Sequence, residues 1–205
     1  MPALSILEKI FGSTAKVKIL RLFLFHPSTP FDAAMVREKT NARANKVRKI
    51  LNDLEKIDLI KKKTFEKQGK VRKKKSKGWV LNQSFEYLKP LQIILIGMNP
   101  MKHDDISERF KGMGRIKALV VSGVFIQDSE SRIDILIVGD KLKVKAIKQA
   151  IKAMEAEIGK ELRYSIFDTE EFSYRLKMYD KLVRDILDFP HETVLDKIKL
   201  STEKK

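Results

Sequence analysis

Apolar residues recur at helical spacing through the first sixty positions. Leu4, Ile6, Leu7, Ile10 and Phe11 predict a short helix closed by Gly12. Thr14 is the expected cap of a second, largely buried helix through Val17, Ile19, Leu20, Leu22, Phe23 and Leu24, stopped by Pro27 and Pro30. A third helix is expected over Asp32–Thr40, with Ala34, Met35 and Val36 inward, then a turn at Asn41-Ala42-Arg43. Val47, Ile50, Leu51 and Leu54 stand at i, i+3, i+4 and i+7, which predicts a fourth helix. Its polar face carries Asn45, Lys49 and Asn52, flanked by Lys46 and Arg48. Leu59-Ile60 opens a strand, Gly69 sits in a loop, and Trp79-Val80-Leu81 reads as the returning strand.

A further helix is expected from Phe85 to Leu95. The cluster from Gly97 to Asp105, with Asn99 and Pro100, then reads as a linker. Beyond it the pattern changes to buried strands alternating with helices. Ala118–Val121 is a strand followed by Ser122-Gly123, and Ile133–Val138 is a second, closed by Gly139-Asp140. A lysine-rich helix runs from about 142 to 158, with Val144, Ile147, Ile151, Met154 and Ile158 inward, and ends at Gly159. Leu162–Phe167 gives a third strand. Helices follow from about 169 to 187, and Pro190 stops them. The expected organisation is residues 1–84, a connecting segment at 85–104, and a second domain over 105–205.

Charge divides the chain along the same line. The formal net charge is +16. Residues 1–90 hold 22 Lys/Arg against 8 Asp/Glu, a net of +14; the remainder balances to +2. The densest stretch runs from Lys61 to Lys77. A confined basic patch attracts polyanions and releases their counterions, which makes nucleic acid the leading partner. There is no cysteine, which excludes disulfides and thiolate metal sites and fits a reducing cytoplasm. His26, His103 and His191 lack metal-ligand spacing. Glu8 and Lys9 interrupt the first apolar stretch, so no secretory leader is read there, and Leu91–Gly97 is far too short for a bilayer span. A cytoplasmic protein without a membrane partner is expected.

Helix, helix, tight turn, helix and basic hairpin is the order of a winged helix-turn-helix. The stretch Arg37–Leu59 (REKTNARANKVRKILNDLEKIDL) resembles such domains in transcription regulators, and the likeness covers residues 10–84. It implies that Asn45, Lys46, Arg48 and Lys49 face base edges, where Asn and Arg make bidentate contacts in the major groove. Lys70, Arg72, Lys73, Lys74, Lys75 and Lys77 suit phosphate or minor-groove contacts that position the domain without reading sequence. Double-stranded DNA is the expected partner, with RNA as the alternative.

The second half resembles the minimal nucleotidyltransferase fold. That family places Gly-Ser after its first strand and Asp-x-Asp on the second, to cradle a triphosphate and hold Mg²⁺. Gly123 matches the glycine, but Val124 stands in the serine's place. Asp134 matches the second aspartate, but Arg132 stands in place of the first. For the family's third carboxylate only Glu161 is near. An arginine where a divalent cation should sit repels it, so the motif is degenerate. Asp134 is then expected to pair with Arg132 or another cation. Asp104-Asp105 reads as a helix-start pair. Gly112-Met113-Gly114 could form a phosphate-binding turn, though a break between helix and strand explains it more simply.

Taken whole, the chain resembles archaeal-type regulators that join a winged helix to a nucleotidyltransferase-like domain. An α+β fold is expected, with an N-terminal winged helix-turn-helix followed by a small mixed α/β module. The implied function is sequence-specific DNA binding in transcription regulation. No catalytic residue, metal or cofactor is expected. The segment 85–205 would serve homodimerisation, partner binding or ligand binding. A metal-dependent nucleotidyltransferase acting on RNA or protein, or an antitoxin-like partner, is the rival reading.

Overall fold

The computed structural model describes residues 3–68, 73–98 and 100–200. The fold is α+β, with two separate sheets among the described residues. Two compact units divide the chain. The first holds residues 3–98 with 153–160, and the second holds the remaining described residues. No helix among the described residues is long and apolar enough to cross a membrane.

The first unit begins with α1 (Ala3–Phe11), α2 (Thr14–Phe25), α3 (Ala33–Thr40) and α4 (Ala44–Lys56). Ser13, rather than Thr14, caps α2, its hydroxyl oxygen accepting from the Lys16 amide at 3.4 Å. Asp32 caps α3, its Oδ1 accepting from the Met35 amide at 2.8 Å, a bond of a kind that stabilises a helix by about 1 kcal/mol. Asn41 takes the left-handed conformation (φ 52°) that ends α3 and turns the chain into α4. The core gathers residues from each helix: Leu7 of α1, Val17, Leu20 and Phe23 of α2, Val36 of α3, and Val47, Leu51 and Leu54 of α4. Arg21 is buried among them. Its Nε donates to the Leu95 carbonyl and its Nη1 to the Glu157 carbonyl, both at 2.9 Å, and burial lowers its pKa.

The basic run is mostly strand, and this changes the picture of an open loop. β1 (Ile60–Gln68) pairs antiparallel with β2 (Lys73–Leu81) in unbroken register from Ile60↔Leu81 to Gln68↔Lys73. Phe31 bridges to Trp79 on the outer edge of β2, each amide donating to the other's carbonyl at 2.9 Å. This contact explains Gly78. A β-carbon there would stand 2.4 Å from the Phe31 carbonyl oxygen. α5 (Leu88–Leu95) completes the unit. It buries Leu95 and leaves Ile93 two-thirds exposed.

The second unit holds a four-stranded sheet in the order β5-β4-β3-β6. α6 (His103–Arg109) begins at the end of the expected linker and runs into the second unit, with Asp104 and Asp105 in its first turn. β3 (Arg115–Val121) and β4 (Ile135–Asp140) are antiparallel, and Gly139-Asp140 belong to β4 instead of closing it. α7 (Val144–Ile158) leads to β5 (Tyr164–Phe167), which lies parallel to β4. α8 (Thr169–Lys177) and α9 (Lys181–Leu187) are separated at Tyr179, whose φ is 52°, and Asp180 caps α9. β6 (Glu192–Asp196) follows Pro190 and adds to the free edge of β3, a strand the sequence pattern does not predict. One sheet face carries Ala118, Val120, Leu136 and Val138, packed with Phe172, Val183 and Ile186 of α8 and α9. The opposite face, Leu119, Val121, Ile135 and Ile137, is buried as well.

Candidate nucleic-acid interface

α4 buries one stripe and exposes the other. Val47, Ile50, Leu51 and Leu54 face the core, whereas Asn45, Lys46, Arg48, Lys49 and Asn52 all lie on the solvent side. The sequence pattern fixes this, because apolar residues at i, i+3, i+4 and i+7 leave the intervening positions outward. Asn45 Oδ1 accepts from the Lys46 amide at 2.8 Å. The side chains of Lys46, Arg48 and Lys49 make no ion pair with described residues, so their donors remain available.

The hairpin register sorts its lysines. Successive strand residues point to opposite faces, so Lys62, Lys75, Lys77 and Trp79 share one face and Lys67, Lys74 and Ser76 the other. Lys74, Lys75 and Lys77 are exposed. Lys70 and Arg72 lie outside the described residues. Lys73 is described only as a strand position opposite Gln68, and its side chain is also outside.

Two carboxylates join the hairpin to the helices, one on each face. Glu55 of α4 accepts from Trp79 Nε1 at 2.8 Å and pairs with Lys62 Nζ at 2.7 Å. These two donors hold the Glu55 carboxyl below its usual range. Asp32 Oδ2 pairs with Lys67 Nζ at 2.8 Å and accepts from the Ser76 hydroxyl at 3.3 Å. Burial pushes the Asp32 carboxyl up, but Lys67, the Met35 amide and Ser76 outweigh it, and the net shift is downward. Sequence reasoning missed Asp32, Glu55 and Trp79 as positioning residues. The only local signal was Glu55 and Trp79 flanking the lysine-rich run; Asp32 lies 35 residues before Lys67 and gave none. With Lys62 and Lys67 tied to these acids, Lys74, Lys75 and Lys77 have no carboxylate partner among the described residues.

The surroundings of Gly123 and Asp134 in the second unit are built differently. Asp134 precedes β4 and is fully buried. Its Oδ1 accepts from the Val124 amide at 3.1 Å, and its Oδ2 from the Arg163 amide at 2.8 Å and Arg163 Nε at 3.3 Å. Of the cations open to Asp134, Arg163 is the partner. Arg132 turns instead to Asp185 of α9, at 2.6 Å. Gly123 has φ +57°, and a β-carbon on it would stand 2.1 Å from Asp134 Oδ1. The glycine therefore admits a buried carboxylate. Beside it Ser122 Oγ lies 2.7 Å from Ser131 Oγ, and both hydroxyls donate to the Ile133 carbonyl. Glu161 is exposed. Among the described residues no three His, Asp or Glu side chains gather as a metal-ligand group.

No protein-family model matches this chain, and neither the curated proteins nor the solved structures yield a match.

Proposed function

We propose that this protein is a sequence-specific DNA-binding transcriptional regulator of the cytoplasm. In this reading α2–α4 and the β1–β2 hairpin act as a winged helix-turn-helix. The carrying observation is the exposed face of α4, where Lys46, Arg48 and Lys49 make no ion pair with described residues, beside a hairpin whose Lys74, Lys75 and Lys77 have no carboxylate partner among them. Asn45 and Arg48 read base edges, Lys46 and Lys49 support them, and Lys74, Lys75 and Lys77 bind phosphates. Lys70, Arg72 and Lys73 extend the phosphate track.

The second unit is then a nucleotidyltransferase-like module without turnover. The antiparallel β3–β4 pair followed by a helix and a parallel β5 supports that likeness. Both Asp134 oxygens are occupied by protein donors, and Arg132 replaces the other acid, so the pair required for bridging a divalent cation is missing. Such a module serves dimerisation, partner binding or ligand binding; in the first unit, exposed Ile93 and Ile94 of α5 offer apolar surface for association.

Duplex-DNA binding by the full chain across a salt series tests the reading, with random duplex and single-stranded RNA as competitors. Tight, salt-steep binding that selects duplex DNA supports it. Preference for RNA, or no binding, overturns it. Transfer of a labelled nucleotide in Mg²⁺ would instead establish the enzyme.

A further inference from the structure

The second unit contains a cleft of about 590 Å³ between α6, the turn that follows it, and the neighbouring strands β3 and β6, of which β6 is the sheet edge. That volume is in the range of small-molecule sites. It opens at the Arg115 end of β3, whereas Gly123 and Asp134 belong to the other end. The two places are distinct. Buried Phe110 and Leu119 contribute apolar wall, and Lys111, Arg115, Lys117 and Lys197 line the mouth. Four cations around one small cleft stand out in a half-chain whose net charge is only +2.

The acids nearby do not neutralise all of them. Glu108 holds Lys111 at 3.1 Å. Asp140 Oδ2 holds Lys117 at 3.0 Å and lies 3.8 Å from Arg115, while the Thr169 hydroxyl donates to Asp140 Oδ1 at 2.6 Å. One carboxylate thus faces two cations, and Arg115 remains largely exposed. Lys197 has no carboxylate partner among the described residues. Its neighbour Asp196 is committed to the turn after β6, accepting from the Ile198 and Leu200 amides at 3.0 and 2.9 Å. Lys143 Nζ donates to the Gly112 carbonyl at 3.1 Å.

The turn itself is glycine-dependent for local reasons. Gly112 has φ +74°. Gly114 has φ +123°, and a β-carbon there would stand 2.8 Å from the Lys141 carbonyl oxygen. At Gly112 the position of a β-carbon is open space, so the turn adds no side-chain bulk at that corner of the cleft.

We infer that this cleft binds a small, multiply charged phosphorylated ligand, with Arg115 and Lys197 as its principal anchors. Arg115 offers a planar fork of donors to phosphate oxygens, and Lys197 supplies a point charge from the adjacent edge strand. Concavity and an apolar wall favour a small molecule over a nucleic-acid backbone, which needs an open track. The inference does not depend on what the hairpin binds.

The test uses pyrophosphate as the probe and the full chain, followed by amide NMR in 0.15 M salt. Saturable shifts at the Gly112 and Gly114 amides are expected. Arg115→Gln with Lys197→Gln should weaken binding about tenfold or more, since each loses a charge-assisted contact. Both side chains are exposed, so thermal unfolding should be unchanged. Lys74→Gln with Lys75→Gln and Lys77→Gln should leave the titration as it was. Absence of shifts at the two glycines, wild-type affinity in the Arg115/Lys197 variant, or displacement of pyrophosphate from this site by duplex DNA would each overturn the inference.

Discussion

The α4–hairpin surface and the Asp134 site use charge in opposite ways. Around Asp134 both carboxylate oxygens are satisfied inside the protein: two amides and the Arg163 guanidinium bind one carboxylate, and Arg132 has its own acid in Asp185. On α4 and the outer hairpin, Arg48, Lys49, Lys74, Lys75 and Lys77 face solvent without a carboxylate partner among the described residues. A buried charge that is fully paired is structural, because exposing or replacing it breaks the fold around it. An exposed cation that nothing pairs contributes little to stability and is free to meet an anion. A motif position and a charge run therefore need their partners counted before either is assigned a role.

The largest effects should come from breaking the buried site. Asp134→Ala orphans the Val124 and Arg163 amides and should destabilise the second unit by about 2–4 kcal/mol, measured by urea unfolding. Gly123→Ala should act in the same direction, since its methyl group meets the carboxylate and the backbone is left-handed. If Asp134→Ala were neutral in stability, the carboxylate would be held for another purpose.

The open surface should behave in reverse. Lys74→Gln, Lys75→Gln and Lys77→Gln together should leave unfolding within about 0.5 kcal/mol of wild type. Duplex-DNA affinity should fall, and the slope of log affinity against log salt should flatten by up to about 0.9 for each phosphate contact removed. Unchanged affinity would show that the hairpin is not the anchor. Asn45→Ala and Arg48→Ala should each reduce discrimination between duplex sequences by about 1–3 kcal/mol, with weaker effect on random DNA. Selection from randomised duplexes should yield a consensus for the wild type and a blurred one for these variants.

The smallest effect sharpens the boundary between the two classes. Asp32 is charged, partly buried and paired, so it belongs with the structural group although it touches the hairpin. Asp32→Asn should lower stability by about 1 kcal/mol or less. Its folded-state pKa is depressed, so the stabilisation is present above the unfolded value of about 3.9 and is lost as pH falls through the lower folded value. Unfolding of the variant should therefore depend less on acid than that of the wild type. Glu55→Gln tests the other face, where the Trp79 bond should survive and the Lys62 pair should not.

Much of the fold was readable in the chain because its signals are local. Periodicity placed α2, α4, β3 and α7 near their observed limits, and Asn41 marked the turn before α4. β6 was not readable. Glu192–Asp196 is a short, half-exposed segment after a proline, and only the free edge of β3 makes it a strand. The basic run misled in a related way. Lysine disfavours strands, yet β1 and β2 pair through nine positions because Ile60 and Leu81 start the register in the core and Phe31 supports Trp79 at the edge.

The charge asymmetry between the two halves and the buried and exposed stripes of α4 were set by the sequence alone. These follow from residue identity and spacing along the chain. Tertiary structure alone decided which cations stay unpaired. Glu55 meets Lys62 and Trp79, Asp32 meets Lys67 across 35 residues, and Asp134 chooses Arg163, 29 residues away, over Arg132 two positions before it. Pairing depends on distance and direction in space, and a β-strand turns residues two apart to one face while its neighbour supplies the partner.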